Sequence, residues 1–175
     1  MLNTIFIKKT AVAVLLGSLV ATPIAAMDMP MGCFERNYTK AHLSGQPAQV
    51  VESIRVLFTE ETFDDSTYLH ARMQVLLANQ GHVRAEGLGG ETLDQFLICD
   101  AGNGKQAPAC FVECDGGGMQ ISRNSGGILE FRTDYLMVGD YDECGGATDL
   151  TEYQGKSVTY RLNQVNDARC DDLRH

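Results

Sequence analysis

The sequence predicts an all-β protein: a single antiparallel β-barrel or sandwich of about eight strands, stapled by disulfides, behind a cleaved signal peptide. Three observations carry this. Apolar residues recur at every second position in several stretches, the pattern of half-buried strands. Glycine clusters punctuate those stretches where hairpin turns need positive φ angles. All 6 cysteines lie beyond an N-terminal segment of export type, and an even count in an exported chain reads as a disulfide framework.

That N-terminal segment is residues 1–26. Lys8 and Lys9 close a basic start, Thr10 to Ala21 is apolar and uncharged, and Ile24-Ala25-Ala26 offers small residues before Met27. The order matches a secretory signal peptide, and the apolar run is too short to span a bilayer. Residues 27–175 therefore read as one β-rich domain, exported to the periplasm or the extracellular space. Losing two of the 14 basic residues leaves 12 against 23 acidic ones, a formal charge of −11. Such a surface repels nucleic acid and attracts basic partners.

The elements follow in order. Val50, Ile54, Val56 and Phe58 share one face, with Glu52 as the exception. Leu69, Ala71, Met73, Val75 and Leu77 alternate with His70, Arg72 and Gln74. Segment 68–79 also fits a helix capped by Ser66 and Gly81, but unbroken alternation and strand-like neighbours favour a strand. Shorter strands are expected at 82–88, 94–99, 109–115, 118–123 and 127–138, and Val158, Tyr160 and Leu162 line a last one. Helical stretches with caps are largely missing. The longest irregular stretch is Gly139–Gln154. A closed barrel removes sheet edges, and its interior either holds one small apolar ligand or is filled by side chains.

The cysteines are Cys33, Cys99, Cys110, Cys114, Cys144 and Cys170. If extended, Cys110 and Cys114 lie about 13 Å apart, too far to bridge. Cys99 and Cys110 flank a turn-like Asp100-Ala101-Gly102-Asn103-Gly104 and face each other across a hairpin. Cys33 and Cys170 tie the two ends of the mature chain together, which leaves Cys114 with Cys144.

Candidate metal ligands fall in two places. Asp140, Asp142, Glu143 and Asp149 lie in the acidic loop. Asp140, Asp142 and Gly145 match calcium-loop positions, but Cys144 stands at the fifth, and the twelfth is Thr151, with Glu152 one residue too late. Met27, Met29 and Met31 place three thioethers at alternate residues, a soft set suited to Cu(I), and resemble the Met-x-Met motifs of copper-handling proteins. The more ordinary readings are a solvated loop and a mobile tail. His42, His70, His82 and His175 form no cluster by spacing: in a hairpin turning near Gln80, His70 faces a residue near Leu88. Acid pairs such as Asp100 with Asp115, or Glu113 with Glu130, carry little weight in so acidic a chain. Asn37-Tyr38-Thr39 is a glycosylation sequon. No residue set specifies a catalytic centre, and no cofactor is expected.

The overall build is similar to small periplasmic barrel proteins, among them bacterial inhibitors of lysozyme. Asn124-Ser125-Gly126-Gly127 is loosely similar to the Ser-Gly-rich loop those inhibitors use. The leading expectation is a non-enzymatic binding protein, with a small apolar ligand in a barrel. The alternative is a proteinaceous inhibitor of a basic cell-wall-degrading enzyme such as lysozyme, which the charge would steer.

Overall fold

The computed structural model describes residues 27–103, 105–139 and 146–174. The segment read as a signal peptide lies outside them, as do Asp140, Asp142, Glu143, Cys144 and His175. The strands are β1 (Gly32–Asn37), β2 (Val51–Phe63), β3 (Ser66–Leu77), β4 (Thr92–Asp100), β5 (Ala109–Phe111), β6 (Gly117–Ser125), β7 (Ile128–Val138), β8 (Thr148–Asp149) and β9 (Val158–Gln164). Each strand from β1 to β7 pairs antiparallel with the next. β9 pairs with both β7 and β1, so eight strands close a barrel and β8 adds a two-residue rung to β7.

The turns follow from local chemistry. Gly126 and Gly127 join β6 to β7 with φ of 61° and 70°, the double left-handed turn whose twist matches the strands. The β2–β3 hairpin closes at Asp64-Asp65, with φ of 48° and 61°. Aspartate tolerates this region better than most non-glycine residues. Glu52 interrupts the alternation of its strand because the β2–β3 register shifts between Val51 and Ser53.

Two sequence expectations are corrected here. Residues 82–88 are not a strand: Gly81–Ala85 forms a short helix, α2, inside the β3–β4 connection. Val83 drops from it into the core. A lone buried valine among polar neighbours mimics alternation. His70 consequently does not face Leu88 but sits between Thr59 of β2 and Ile98 of β4. A second short helix, α1 (Lys40–Gly45), starts where the Thr39 hydroxyl accepts the His42 N–H at 3.1 Å.

The barrel interior is filled by side chains. Phe34 meets Phe58 edge-on at 5.9 Å, and Phe131 lies 5.3 Å from Tyr160. Met73, Leu97, Met119, Ile121, Leu129 and Leu162 are fully buried around them. The Tyr160 hydroxyl donates to the Leu150 carbonyl at 2.7 Å, which meets its need for a partner in that setting. Burial holds its pKa well above the ordinary phenol value. Near the short β5, the side chain of Gln95 stitches β4 to β7, donating to the Met137 carbonyl at 3.1 Å and accepting from the Phe96 N–H at 2.9 Å.

The C-terminal segment closes over the outside of β1 and β2. Its 3₁₀ turn, Asp167–Leu173, is bridged to β1 by Cys33–Cys170. Cys33, Leu57, Cys170 and Leu173 form a second small core. Arg169 grips Glu35 with both arms, at 2.6 and 3.1 Å, and Arg55 does the same to Asp172 at 2.6 and 2.9 Å. The guanidinium of Arg55 also contacts Gln74 of β3.

Candidate functional site

On β3 and β4 the inward positions carry Ala71, Met73, Val75 and Leu97, so Tyr68, His70, Phe96, Ile98 and Asp100 point outward. The register then sets a row across the barrel wall. His70 pairs with Ile98, Ile98 with Phe111, Phe111 with Gly118, and Gly118 with Tyr135. Tyr68, Ile98, Phe111 and Tyr135 are 51%, 45%, 54% and 46% exposed. Two grooves flank Phe111. One, of about 620 Å³, runs between Phe111 and Tyr135 over Gly117 and Gly118. The other, of about 570 Å³, is bordered by Tyr68, Ile98 and Phe111.

The glycines hold the aromatic rings in place. A Cβ on Gly118 would stand 2.7 Å from the Phe111 ring and 2.5 Å from the Cys110 carbonyl. A Cβ on Gly117 would come within 2.7 Å of the Tyr135 ring. Both rings therefore lean over bare backbone, a cross-strand pairing of aromatic with glycine. The Phe111 segment is also clamped. Cys110 is bridged to Cys99, with Cα atoms 4.0 Å apart, and Cys114 is disulfide-bonded as well. Cys144, the partner expected from the sequence, lies outside the described residues.

Charge around the grooves is mostly negative. Asp100 and Glu113 line the groove beside Tyr68, with no basic residue in its lining among the described residues. Asp115, Asp134 and Arg132 line the other. Arg132 is committed locally: it donates to the Ser157 hydroxyl at 2.6 Å and lies 3.8 Å from Asp134.

The residues singled out from the sequence are placed as follows. Cys33–Cys170 and Cys99–Cys110 are paired as expected. Asp149 uses its carboxylate internally, accepting from the Leu136 and Thr151 N–H groups at 3.0 and 3.1 Å and from the Thr151 hydroxyl at 2.5 Å. Met27 and Met29 pack against the core whereas Met31 is exposed, so the three thioethers face different surroundings. Among the described residues, no group of three His, Cys, Asp or Glu is placed to hold a metal ion. His42 stacks on Tyr38 at 4.8 Å, His70 lies 5.4 Å from Phe96, and His82 sits between Glu86 and the Thr151 carbonyl, each 3.0 Å away. Asp100 and Asp115 fall in different grooves on either side of Phe111, and Glu130 is paired with Arg123 and Arg161, each at 3.7 Å. Asn37 of the sequon donates to Glu35 at 2.9 Å. The Asn124–Gly127 turn is held against its neighbours: Asn124 donates to the Asp28 carbonyl at 3.1 Å, and the Gly127 carbonyl accepts from Gln164 at 2.8 Å.

The exposed row was missed by sequence reasoning. Its signal was present in the strand parity: once Leu69 and Met73 face inward, Tyr68 must face out. What the sequence lacked was the register that brings Ile98, Phe111 and Tyr135 side by side. No protein family, characterised protein or solved structure matches this chain.

Proposed function

We propose that this protein is an exported, non-enzymatic binding protein that takes a basic protein partner on the outer face of β3 to β7. One observation carries the reading: the row Ile98–Phe111–Gly118–Tyr135 lies open, with a groove on each side of Phe111. Contiguous exposed apolar surface rimmed by polar groups marks an interaction site, and aromatic anchors dominate such sites energetically. The surrounding carboxylates and the −11 charge expected of the mature chain favour a basic partner. The filled interior favours the outside of the barrel over an internal apolar ligand. Export is supported by the disulfides. Among the described residues, no helix is long and apolar enough to cross a membrane.

Inhibition of a cell-wall-degrading enzyme such as lysozyme is a narrower form of the same reading. In that case the contact falls on the Phe111 face rather than on the tethered Asn124–Gly127 turn. The test is a binding panel of basic wall-degrading enzymes, lysozymes included, beside fatty acids and other small hydrophobes, each at low and high salt. The expected result is a protein partner whose association slows steeply with salt, as the Debye length falls from about 10 Å at 0.1 M to about 3 Å at 1 M. Salt-insensitive binding of a small hydrophobe alone, or no binding by any basic protein, would overturn it.

A further inference from the structure

We infer that the groove between Tyr68 and Phe111 accepts one cationic side chain of the partner, an arginine in preference to a lysine. The inference rests on the reading of the outer face given above and names what that face recognises. Two half-exposed aromatic residues border this groove, and the outward Ile98 supplies apolar lining between them. Aromatic faces attract cations, and a planar guanidinium stacks on them better than a compact ammonium does. The aliphatic stem of the same side chain finds its contact on the apolar lining.

The charges decide against an apolar occupant. Among the described residues, Asp100 and Glu113 are the charged ones of the lining, and both are acidic. An apolar group filling the groove would strip water from two carboxylates and give nothing back. A guanidinium supplies donors in a planar fork that matches a carboxylate. Asp100 is already oriented, because its Oδ1 accepts the Gly102 N–H at 2.7 Å. The remaining charged groups nearby do not compete. Glu61, the register partner of Tyr68, lies 3.4 Å from His70. Arg132 belongs to the other groove, where Ser157 and Asp134 hold it. Phe111 is a wall of both grooves, so a partner that seats an arginine beside Tyr68 can lay an apolar residue against Tyr135.

The experiment is an NMR titration of the full disulfide-bonded protein with Nα-acetyl-arginine amide and with its neutral near-isostere Nα-acetyl-citrulline amide. The arginine probe should shift the signals of Tyr68, Ile98 and Phe111 and bind roughly tenfold more tightly than the citrulline probe. Asp100→Asn and Glu113→Gln should each weaken it, and together by roughly fivefold or more. Asp100→Asn keeps the oxygen that accepts from Gly102, so the turn survives, and the unperturbed signals of the variant check this. Equal binding of both probes, shifts centred elsewhere, or full affinity in the double variant would overturn the inference. The partner protein separates the two levels. If the double variant binds it as wild type does while Phe111→Ala does not, the arginine slot fails and the binding face stands. If neither variant changes its binding, the face fails as well.

Discussion

The outer face of β1 and β2 and the outer face of β3 to β7 belong to one closed sheet, yet they meet solvent differently. On the first, Cys33 and Leu57 point away from the barrel and are still fully buried, because the C-terminal turn lies over them. Glu35 is buried there too, and Arg169 answers its charge. On the second face, Ile98, Phe111 and Tyr135 also point outward and remain about half exposed. Apolar outward residues thus do two jobs in one molecule. Where the chain supplies its own cover, they stabilise the fold. Where no described residue lies over them, they are available to another molecule, and the Cys99–Cys110 bridge, with Cys110 buried in the main core, also fixes the position of Phe111.

The largest test of this contrast is removal of the bridges one at a time. Cys33–Cys170 spans 137 residues and Cys99–Cys110 spans 11. Loop-closure entropy alone assigns about 5 kcal/mol to the first and about 3 kcal/mol to the second. Cys33→Ala with Cys170→Ala should therefore lower the denaturation midpoint more than Cys99→Ala with Cys110→Ala. The second pair should lower it less while also weakening binding, and the reverse order in denaturant titrations would break the comparison.

Single apolar truncations sharpen it. Leu57→Ala removes a buried side chain from beneath the C-terminal turn and should cost about 2–5 kcal/mol. Ile98→Ala removes an outward one of similar size and should cost much less, within about 1 kcal/mol. Equal losses in chemical denaturation would mean that the second face is also part of the core.

Acid should loosen the covered face. The Arg169 hydrogen bonds hold the Glu35 carboxyl below its ordinary 4.5, against an opposing push from burial, with Asn37 assisting. Hydrogen bonds from Arg55 lower Asp172 likewise. The unfolded chain takes up these protons first. The contribution is complete above the ordinary carboxylate range and is lost as pH falls through the lowered folded values. Melting curves between pH 6 and 3 should show stability declining with acid, and Arg169→Gln should flatten that decline at its acid end. An unchanged pH profile in the variant would remove Glu35 from the account.

How much of this was legible in the sequence depends on what each face does to the alternating pattern. β7 and β9 read clearly because one face is buried and the other solvated, whereas segment 68–79, which also fitted a helix by spacing, is a strand through Leu77. β1 was invisible: Cys33, Phe34 and Glu35 are consecutive buried residues, since the barrel buries one face and the C-terminal turn the other. Cys33–Cys170 was expected from the positions of the two cysteines near the ends of the mature chain, and the covering turn is what brings them together. α2 was mistaken for a strand because Val83 alone carries its burial. The Asp64-Asp65 turn was overlooked because no glycine marks it. The open row escaped notice for a different reason. Its members are far apart in sequence, and only β5, a three-residue strand, brings Ile98 and Tyr135 onto one line.

The central claim is that the face of β3 to β7 binds while that of β1 and β2 holds the fold. The most direct test is the double variant Phe111→Ala plus Tyr135→Ala, measured for thermal stability and for affinity toward a basic protein bound by the wild type. Both rings are about half exposed and rest on Gly118 and Gly117, so truncating them costs some stability, but less than emptying a buried position such as Leu57. The melting temperature should therefore fall less than that of Leu57→Ala, while affinity falls at least about a hundredfold for the loss of two aromatic anchors. A stable variant that binds its partner with undiminished affinity would contradict the account.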